Sequence, residues 1–342
     1  MVQRRNRPTI RDVAREAGVS MTTVSHALSG KGVVAPATRE RVRQVSVELG
    51  YQPDALASGL RNSRLGIIAL VFRPLDSLES FMPEGVDYFT RFAGVASMSA
   101  MEHGYGLMMV SDPTLPTAPP IALAADGFII TDPFANDPVI DLLTLKGIPF
   151  LTVGKDPARD DYSSWIESDI EKGARMVLTH LSESGATKVA LARGTDANSW
   201  NVSTEQAYRD WCAEKGQEPI VWEQKETSGE AGGALLADRF LETTDRPDGV
   251  FCMTGRHAAG FVARLREVGI TTPEDVLVVA GSDSEQSRRS TPPITAVDLG
   301  PEAVARTAVA ALMEQLGETP LHRIGEDING RMIVRESTVR VR

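Results

Sequence analysis

The segment from Pro8 to Leu49 constrains this chain most, because it holds three amphipathic patterns with turn residues between them. Thr9 is placed to cap a first helix whose inner side is Val13, Ala14 and Ala17, at three- and four-residue spacing. Gly18 follows at once and accepts the positive φ that a tight turn between helices needs. Ser20 is a good cap for a second helix, with Val24, Ala27 and Leu28 on its buried side. A third helix starts near Pro36, with Val42, Val45 and Leu49 as its inner stripe, and Gly50 ends it. Ala14, a glycine four residues later and Val24 six after that spell a helix-turn-helix.

The outer face of the second helix carries the chemistry. Met21, Thr22, Ser25 and His26 lie near its N-terminal end, the end of a recognition helix that enters the major groove. They are short donors and acceptors with one apolar contact. Thr9, Ser20, Thr23, Ser29, Thr38 and Arg39 complete the candidate DNA contacts of the head, and the arginines of the third helix suit phosphates. A plainly solvated helix face explains the turn glycine and the hydrophobic spacing less well.

Net charge is −10, which taken whole argues against nucleic acid. Its distribution argues the other way. Residues 1–64 hold 11 Lys and Arg against 5 Asp and Glu, a balance of +6, and the remainder holds 25 against 41, or −16. A basic head on an acidic body is the pattern of a DNA module fused to a domain of another kind.

The hydrophobic fraction of 42% is that of a globular protein, and 342 residues suffice for two or three domains. No apolar run reaches the roughly 18 residues of a membrane span. Arg4, Arg5 and Arg7 have no apolar stretch behind them, so no signal peptide is expected. Cys212 and Cys252 are the only cysteines, fit no metal-ligand spacing and read as buried thiols. No metal and no cofactor is expected. Signatures of phosphate-binding loops, zinc proteases and serine hydrolases are absent, which disfavours an enzyme with an appended DNA-binding head.

Residues 8–64 resemble the headpiece and hinge of the LacI/GalR family of bacterial regulators. The family signature T-I-x-D-V-A-x-x-A-G-V-S-x-x-T-V-S stands as Thr9 to Ser25, and its hinge pattern Y-x-P-x-x-x-A-x-x-L stands as Tyr51 to Leu60. The resemblance implies that two hinge helices pair in the minor groove, where Leu60 wedges between base steps and Ala57 lets the helices approach. Ala35 stands where the family usually opens its third helix on Ser or Asp, which costs a cap.

From Leu65 the pattern changes to buried strands alternating with helices. Apolar runs fall at 65–72, 106–110, 127–131, 149–154, 188–192, 249–253 and 276–280, and helical patterns at 86–102, 170–182 and 205–215. Such alternation means an α/β core of parallel sheets in two sets. The layout is similar to the family's effector-binding core, which is like periplasmic sugar-binding proteins. Local matches are Ser168-Asp169 with Gly173, His180-Leu181 with Gly185, Pro292 to Thr295, and Val334 to Thr338. The expected domains are a helix-turn-helix domain over 1–50, a hinge and linker over 51–64, and a core over 65–342. Within the core, lobe one is about 65–166 with 298–323, and lobe two about 167–297 with 324–342.

The resemblance places ligands in the cleft between lobes, at carboxyl ends of strands. Candidate effector residues are Phe72, Asp169, Trp200, Thr204, Ser282 and Asp283. Several depart from the family. Thr204 stands for its arginine, Thr254-Gly255 for its Asn-Asp pair, and Ala280-Gly281-Ser282 for its Gly-aromatic-Asp. Trp200 falls in an expected loop, free either to stack on a ring or to pack between lobes. Two acids without a matched guanidinium suit a neutral polyol or sugar rather than an anion, unless Lys155 or Arg256 moves in. The family implies a bacterial, cytoplasmic, nucleoid-associated homodimer, most simply a repressor, on a pseudo-palindromic operator. Its effector shifts the balance between DNA-competent and incompetent states. The alternative is an effector-independent DNA-binding dimer whose core serves only to dimerise.

Overall fold

Each head helix forms where its start, stop and inner stripe agree. The computed structural model describes residues 8–30, 32–52, 64–71, 87–159, 162–317 and 330–340. It separates into two compact units, one up to Leu65 and one from Gly66 onward. The head comprises α1 (Ile10–Ala17), α2 (Met21–Ser29) and α3 (Pro36–Leu49). Asp12 accepts from the Thr9 backbone N–H at 2.9 Å and from the Thr9 hydroxyl at 2.7 Å, which ties off the first turn of α1. Gly18 sits at φ 63°, and the Val19 N–H returns to the Ala14 carbonyl at 3.0 Å, closing the turn. Ser20 accepts the Thr23 N–H at 3.1 Å. Val13, Ala14, Ala17, Val24, Ala27, Val42 and Val45 make the small core. Leu49 was expected among them but, as the last residue of α3, is exposed. Half-buried Tyr51 packs on the core instead, and its N–H donates to the Ser46 carbonyl at 2.8 Å. No side chain caps α3 at Ala35.

Lobe one is built on β1 (Ile67–Val71), β2 (Gly106–Val110), β3 (Gly127–Thr131), β4 (Phe150–Val153) and β5 (Trp165–Ile166), all parallel, in the order β2-β1-β3-β4-β5. Ile68 and Leu70 point to one face, covered by α4 (Asp87–Glu102) and α11 (Pro301–Gln315). Ala69 and Val71 point to the other, covered by α5 (Pro138–Lys146) and the 3₁₀ turn Pro120–Leu123. Burial on both faces explains the unbroken apolar runs in the sequence.

Lobe two repeats this topology. Its strands are β6 (Val189–Arg193), β7 (Ile220–Glu223), β8 (Gly249–Cys252), β9 (Leu277–Ala280) and β10 (Thr295–Asp298), with β11 (Arg331–Ile333) added antiparallel at the edge. The order β11-β10-β9-β8-β6-β7 contains the same first-beside-third crossover as lobe one. Helices α6 (Ile170–Glu183) and α7 (Ser199–Lys215) cover one face, and α8 (Gly229–Glu242) and α9 (Gly255–Glu267) the other. A short α10 (Glu285–Arg289) precedes β10, α11 returns to lobe one, and β11 again belongs to lobe two.

The helix expected from Glu205 begins six residues earlier, at Ser199, because Asn198 caps it by accepting the Asn201 N–H at 2.9 Å. Trp200 therefore sits in the first turn of α7 and not in a loop. The segments matched at His180, Thr295 and 334–338 form one hydrogen-bonded clasp. Ser337 donates to the Val278 carbonyl at 2.6 Å and accepts from the Thr295 N–H at 2.8 Å, while Thr338 meets Thr295 and His180 at 2.7 and 2.8 Å. This clasp anchors the chain's last segment to β9 and β10. Cys212 and Cys252 are free and buried, and burial pushes the Cys252 thiol up to about 12.

Candidate functional site

Two sites result, one in each unit. In the head, the cap at Ser20 and the core residues Val24 and Ala27 fix α2, which leaves Met21, Thr22, His26 and Ser29 exposed on its outer side. Thr23 and Ser25 are half-buried, and the Thr23 hydroxyl lies 2.9 Å from that of Ser20, so Thr23 serves the cap with Ser20. The His26 ring lies against Gly32, where an added Cβ would stand 2.7 Å from Nδ1. Any side chain there would displace the ring. Thr9 and Ser20 are exposed, and Thr38 and Arg39 half-buried on α3; the Arg39 Nε–H is buried with no acceptor among the described residues. Ala57, Leu60 and the expected hinge helix lie outside the described residues, as does Phe72.

In the core, a cavity of about 510 Å³ opens between the lobes. Its lining follows from the two sheets. Thr131 and Asp132 end β3, and Val153 and Gly154 end β4. Asp196 and Asn198 follow β6, Glu226 and Thr227 follow β7, Thr254 to Arg256 follow β8, and Gly281 to Ser284 follow β9. Ligands of doubly wound sheets sit at carboxyl ends near the crossover, and two facing sheets make one pocket. Asp132 holds φ 45° and Asn136 φ 59°, a backbone region that non-glycine residues adopt at a cost and that clusters at binding sites.

The loop they bound reaches across to lobe two. The Ala135 N–H donates to the Ala197 carbonyl at 3.0 Å, and Phe134 bridges Asn198. Arg288 of α10 pairs with Asp87 of α4 at 2.7 Å, a second tie between lobes. Tyr88, Phe89, Phe134, Trp200 and Phe251 give the cavity aromatic walls. Its charged lining, among the described residues, is Asp87, Asp132, Glu167, Asp169, Asp196, Glu226 and Asp283 against Arg256.

Asp169, Trp200, Thr204, Ser282 and Asp283 all line this cavity. Two of them carry other duties. Asp169 caps α6 by accepting the Lys172 N–H at 2.9 Å. Asp283 pairs with Arg335 at 2.8 Å and Arg288 at 2.9 Å. Burial alone would raise the Asp283 carboxyl, but hydrogen bonds from Arg335, Arg288 and Ser287 hold it below the usual range. The view of a cleft with two unmatched acids is thus corrected, since Asp283 has its own guanidinium partners. Arg256 lines the cavity and donates to the Glu226 carbonyl at 3.1 Å, whereas Lys155 does not line it. His257, buried behind the wall, is pushed down to about 4 by burial and stays neutral.

Sequence reasoning missed Asp196, Asn198 and Glu226. Their signal was their position after β6 and β7, and the edge strand β7, with 4 residues, is too short to be seen. No group of three or more His, Cys, Asp or Glu is arranged to hold a metal among the described residues. No helix among them is long and apolar enough to cross a membrane.

A helix-turn-helix unit joined to a two-lobed, periplasmic-binding-protein-like core defines a class of DNA-binding transcriptional regulators. The chain carries a LacI-family DNA-binding domain, since the model of the lacI family of bacterial regulatory proteins matches residues 9–54, and a periplasmic binding protein-like domain matches 178–338. The HTH-type transcriptional regulator CelR of Thermobifida fusca is 27% identical over 350 residues, covering 98% of this chain and 100% of CelR. The HTH-type transcriptional repressor PurR of Vibrio atlanticus is 28% identical over 318 residues, covering 90% and 92%. Among solved structures, a CelR–cellobiose complex superposes with a TM-score of 0.70 at 24% identity over 97% of this chain and 100% of that one. A lac repressor dimer bound to operator and the anti-inducer ONPF superposes with a TM-score of 0.81 at 22% identity, over 97% and 99%. These relatives are transcriptional regulators and not enzymes.

Proposed function

We propose that this transcriptional regulator acts as a repressor, a homodimer on a pseudo-palindromic operator, whose DNA affinity is set by a neutral, sugar-like effector in the cleft. The observation that carries the reading is the 510 Å³ cavity with aromatic walls and carboxylate acceptors at the carboxyl ends of both sheets. Sugars offer many hydroxyl donors and apolar ring faces, which such a lining matches. The similarity to a regulator solved with cellobiose supports the same class. Two lobe-to-lobe ties near the cavity give an effector something to bias, since a ligand shifts only an equilibrium whose states it binds differently. Exposed Met98 and Met101 on α4 and Met109 on edge strand β2 support pairing through that side of lobe one. A core that only dimerises would leave the cavity without a role.

A thermal-shift panel of cellobiose, glucose, galactose and maltose, with glucose 6-phosphate as the anionic comparator, tests the effector. At least one neutral sugar raises the melting temperature, and Trp200→Ala weakens that response about tenfold through lost stacking. A shift with glucose 6-phosphate alone would overturn the neutral-sugar reading.

The head is tested separately. His26→Ala and Thr22→Ala are expected to flatten base preference, each by about 1–3 kcal/mol at one position. Arg39→Ala weakens binding to all sequences alike and lowers the salt dependence. Fluorescence anisotropy on single-base operator variants reads both. An unchanged ranking in the His26→Ala protein would refute the assignment of α2 as the reading helix.

A further inference from the structure

One carboxylate in the cavity differs from the rest. Asp283, Asp87 and Asp169 are committed to arginines or a helix cap. Glu226 accepts from the Asn201 side chain at 2.7 Å and from the Thr195 and Asp196 N–H groups at 3.2 and 3.3 Å. Asp196 stands beside it on the loop between β6 and α7, and its carboxylate takes no hydrogen bond or ion pair among the described residues.

Its backbone, in contrast, is clamped. The N–H is given to Glu226, and the carbonyl accepts from Asn201 at 2.9 Å. Gly194, two residues earlier, has room for no side chain: a Cβ there would lie 1.6 Å from Glu226 Oε1. The next residue, Ala197, takes the hydrogen bond from lobe one. A rigid backbone thus holds a half-buried acceptor toward the cavity with nothing to accept from. A carboxylate partly removed from water and set beside Glu226 destabilises the empty protein and rewards a donor placed against it.

We propose that Asp196 is a specificity-determining residue of the cavity, accepting a hydrogen bond from a hydroxyl or ammonium group of the effector and holding that group beside the lobe-to-lobe bridge at Ala197. The inference rests on the cavity's being the effector site, and it adds a requirement: the effector has a donor at this position. Burial and the neighbouring Glu226 push the Asp196 carboxyl up to about 6, the mark of an acceptor lacking a partner. Asp196 departs from the carboxylates that brace the fold, and removing its charge relieves repulsion from Glu226.

That contrast supplies the test. Full-length Asp196→Asn and Asp196→Ala proteins are melted without ligand, then titrated with cellobiose and with glucosamine as the cationic probe, beside Trp200→Ala. The empty variants are expected to melt above the parent, a stability gained where function is lost. Whichever probe binds the parent is expected to bind the Asp196 variants at least about tenfold more weakly, the value of one charge-assisted hydrogen bond. A lower melting temperature in both variants would make Asp196 a structural brace and overturn the proposal. So would affinity within twofold of the parent when Trp200→Ala is weakened, which leaves the cavity reading intact. If Trp200→Ala and the Asp196 variants all bind as the parent does, the cavity itself is misassigned. Should neither probe bind the parent, the ligand-free melting temperatures decide the matter alone.

Discussion

Gly260→Ala lowers the stability of the core by about 2 kcal/mol or more, although alanine is the better helix former. Gly260 lies in α9 and Gly233 in α8, and each helix backbone rests on the other at these points. A Cβ at Gly260 would stand 1.9 Å from the Glu230 carbonyl oxygen, and one at Gly233 would stand 2.2 Å from the His257 carbonyl oxygen. Both obstacles are backbone, so the helices must part. Alanine gains about 1 kcal/mol in helix propensity at such a position. Separating α8 from α9 undoes the packing of Leu236, Phe240, Phe261 and Leu265, and overpacked helix contacts cost more than that gain. Gly173→Ala in α6 is the control, because its Cβ meets nothing within 4 Å and is expected to be neutral or stabilising by up to about 1 kcal/mol. Urea unfolding followed by circular dichroism gives the comparison. Equal midpoints for Gly260→Ala and the parent would mean that the helices do not touch there. The pair also carries Arg256 at its cavity end, so the same variant should weaken sugar binding.

These glycines also show why the sequence read so unevenly. The head was legible because every helix end carries a local signal: the acceptor at Ser20, the turn at Gly18, the stop at Gly50. The central strands were legible because both faces are buried, so each runs apolar without a break. Helices α8 and α9 were not singled out, since Gly229, Gly232, Gly233, Gly255 and Gly260 read as breakers when two backbones approach so closely. The edge strands β5 and β7 have 2 and 4 residues, too few to show a pattern, and β11 is held by pairing with β10 and not by its own pattern.

The site divides in the same way. Trp200, Thr204 and Ser282 could be placed by counting from motifs. Asp196 and Glu226 meet only because β6 and β7 are neighbours in the sheet, which the chain's order does not announce. The clasp at Thr295, Ser337 and Thr338 is the reverse case. Its residues stand out in the sequence, yet they join strands and never reach the cavity.

Asp283 carries the sharpest disagreement between sequence and structure, and its removal should show it. The residue lines the cavity, but its side chain is 7% exposed and lies between Arg335, 15% exposed, and Arg288, 41% exposed. Asp283→Ala would leave the buried Arg335 guanidinium without its carboxylate, a loss that reaches about 3–5 kcal/mol for fully buried pairs. Arg288 is wet enough to recover much of its share from solvent, so about 2–4 kcal/mol is expected. The ion pair from Arg288 to Asp87 should loosen as well, because Asp283 holds the guanidinium from the other side.

The pH dependence identifies the cause. The folded carboxyl titrates below its unfolded value, so its stabilisation is complete above about pH 4 and fades as pH falls through the folded value. The stability gap between parent and Asp283→Asn is therefore wide at pH 7 and narrows in acid. Urea midpoints from pH 3 to 7 measure it. If Asp283→Asn keeps the parent's stability at pH 7 and loses only sugar affinity, then Asp283 contacts the effector directly. The two arginines would then be bystanders to the fold.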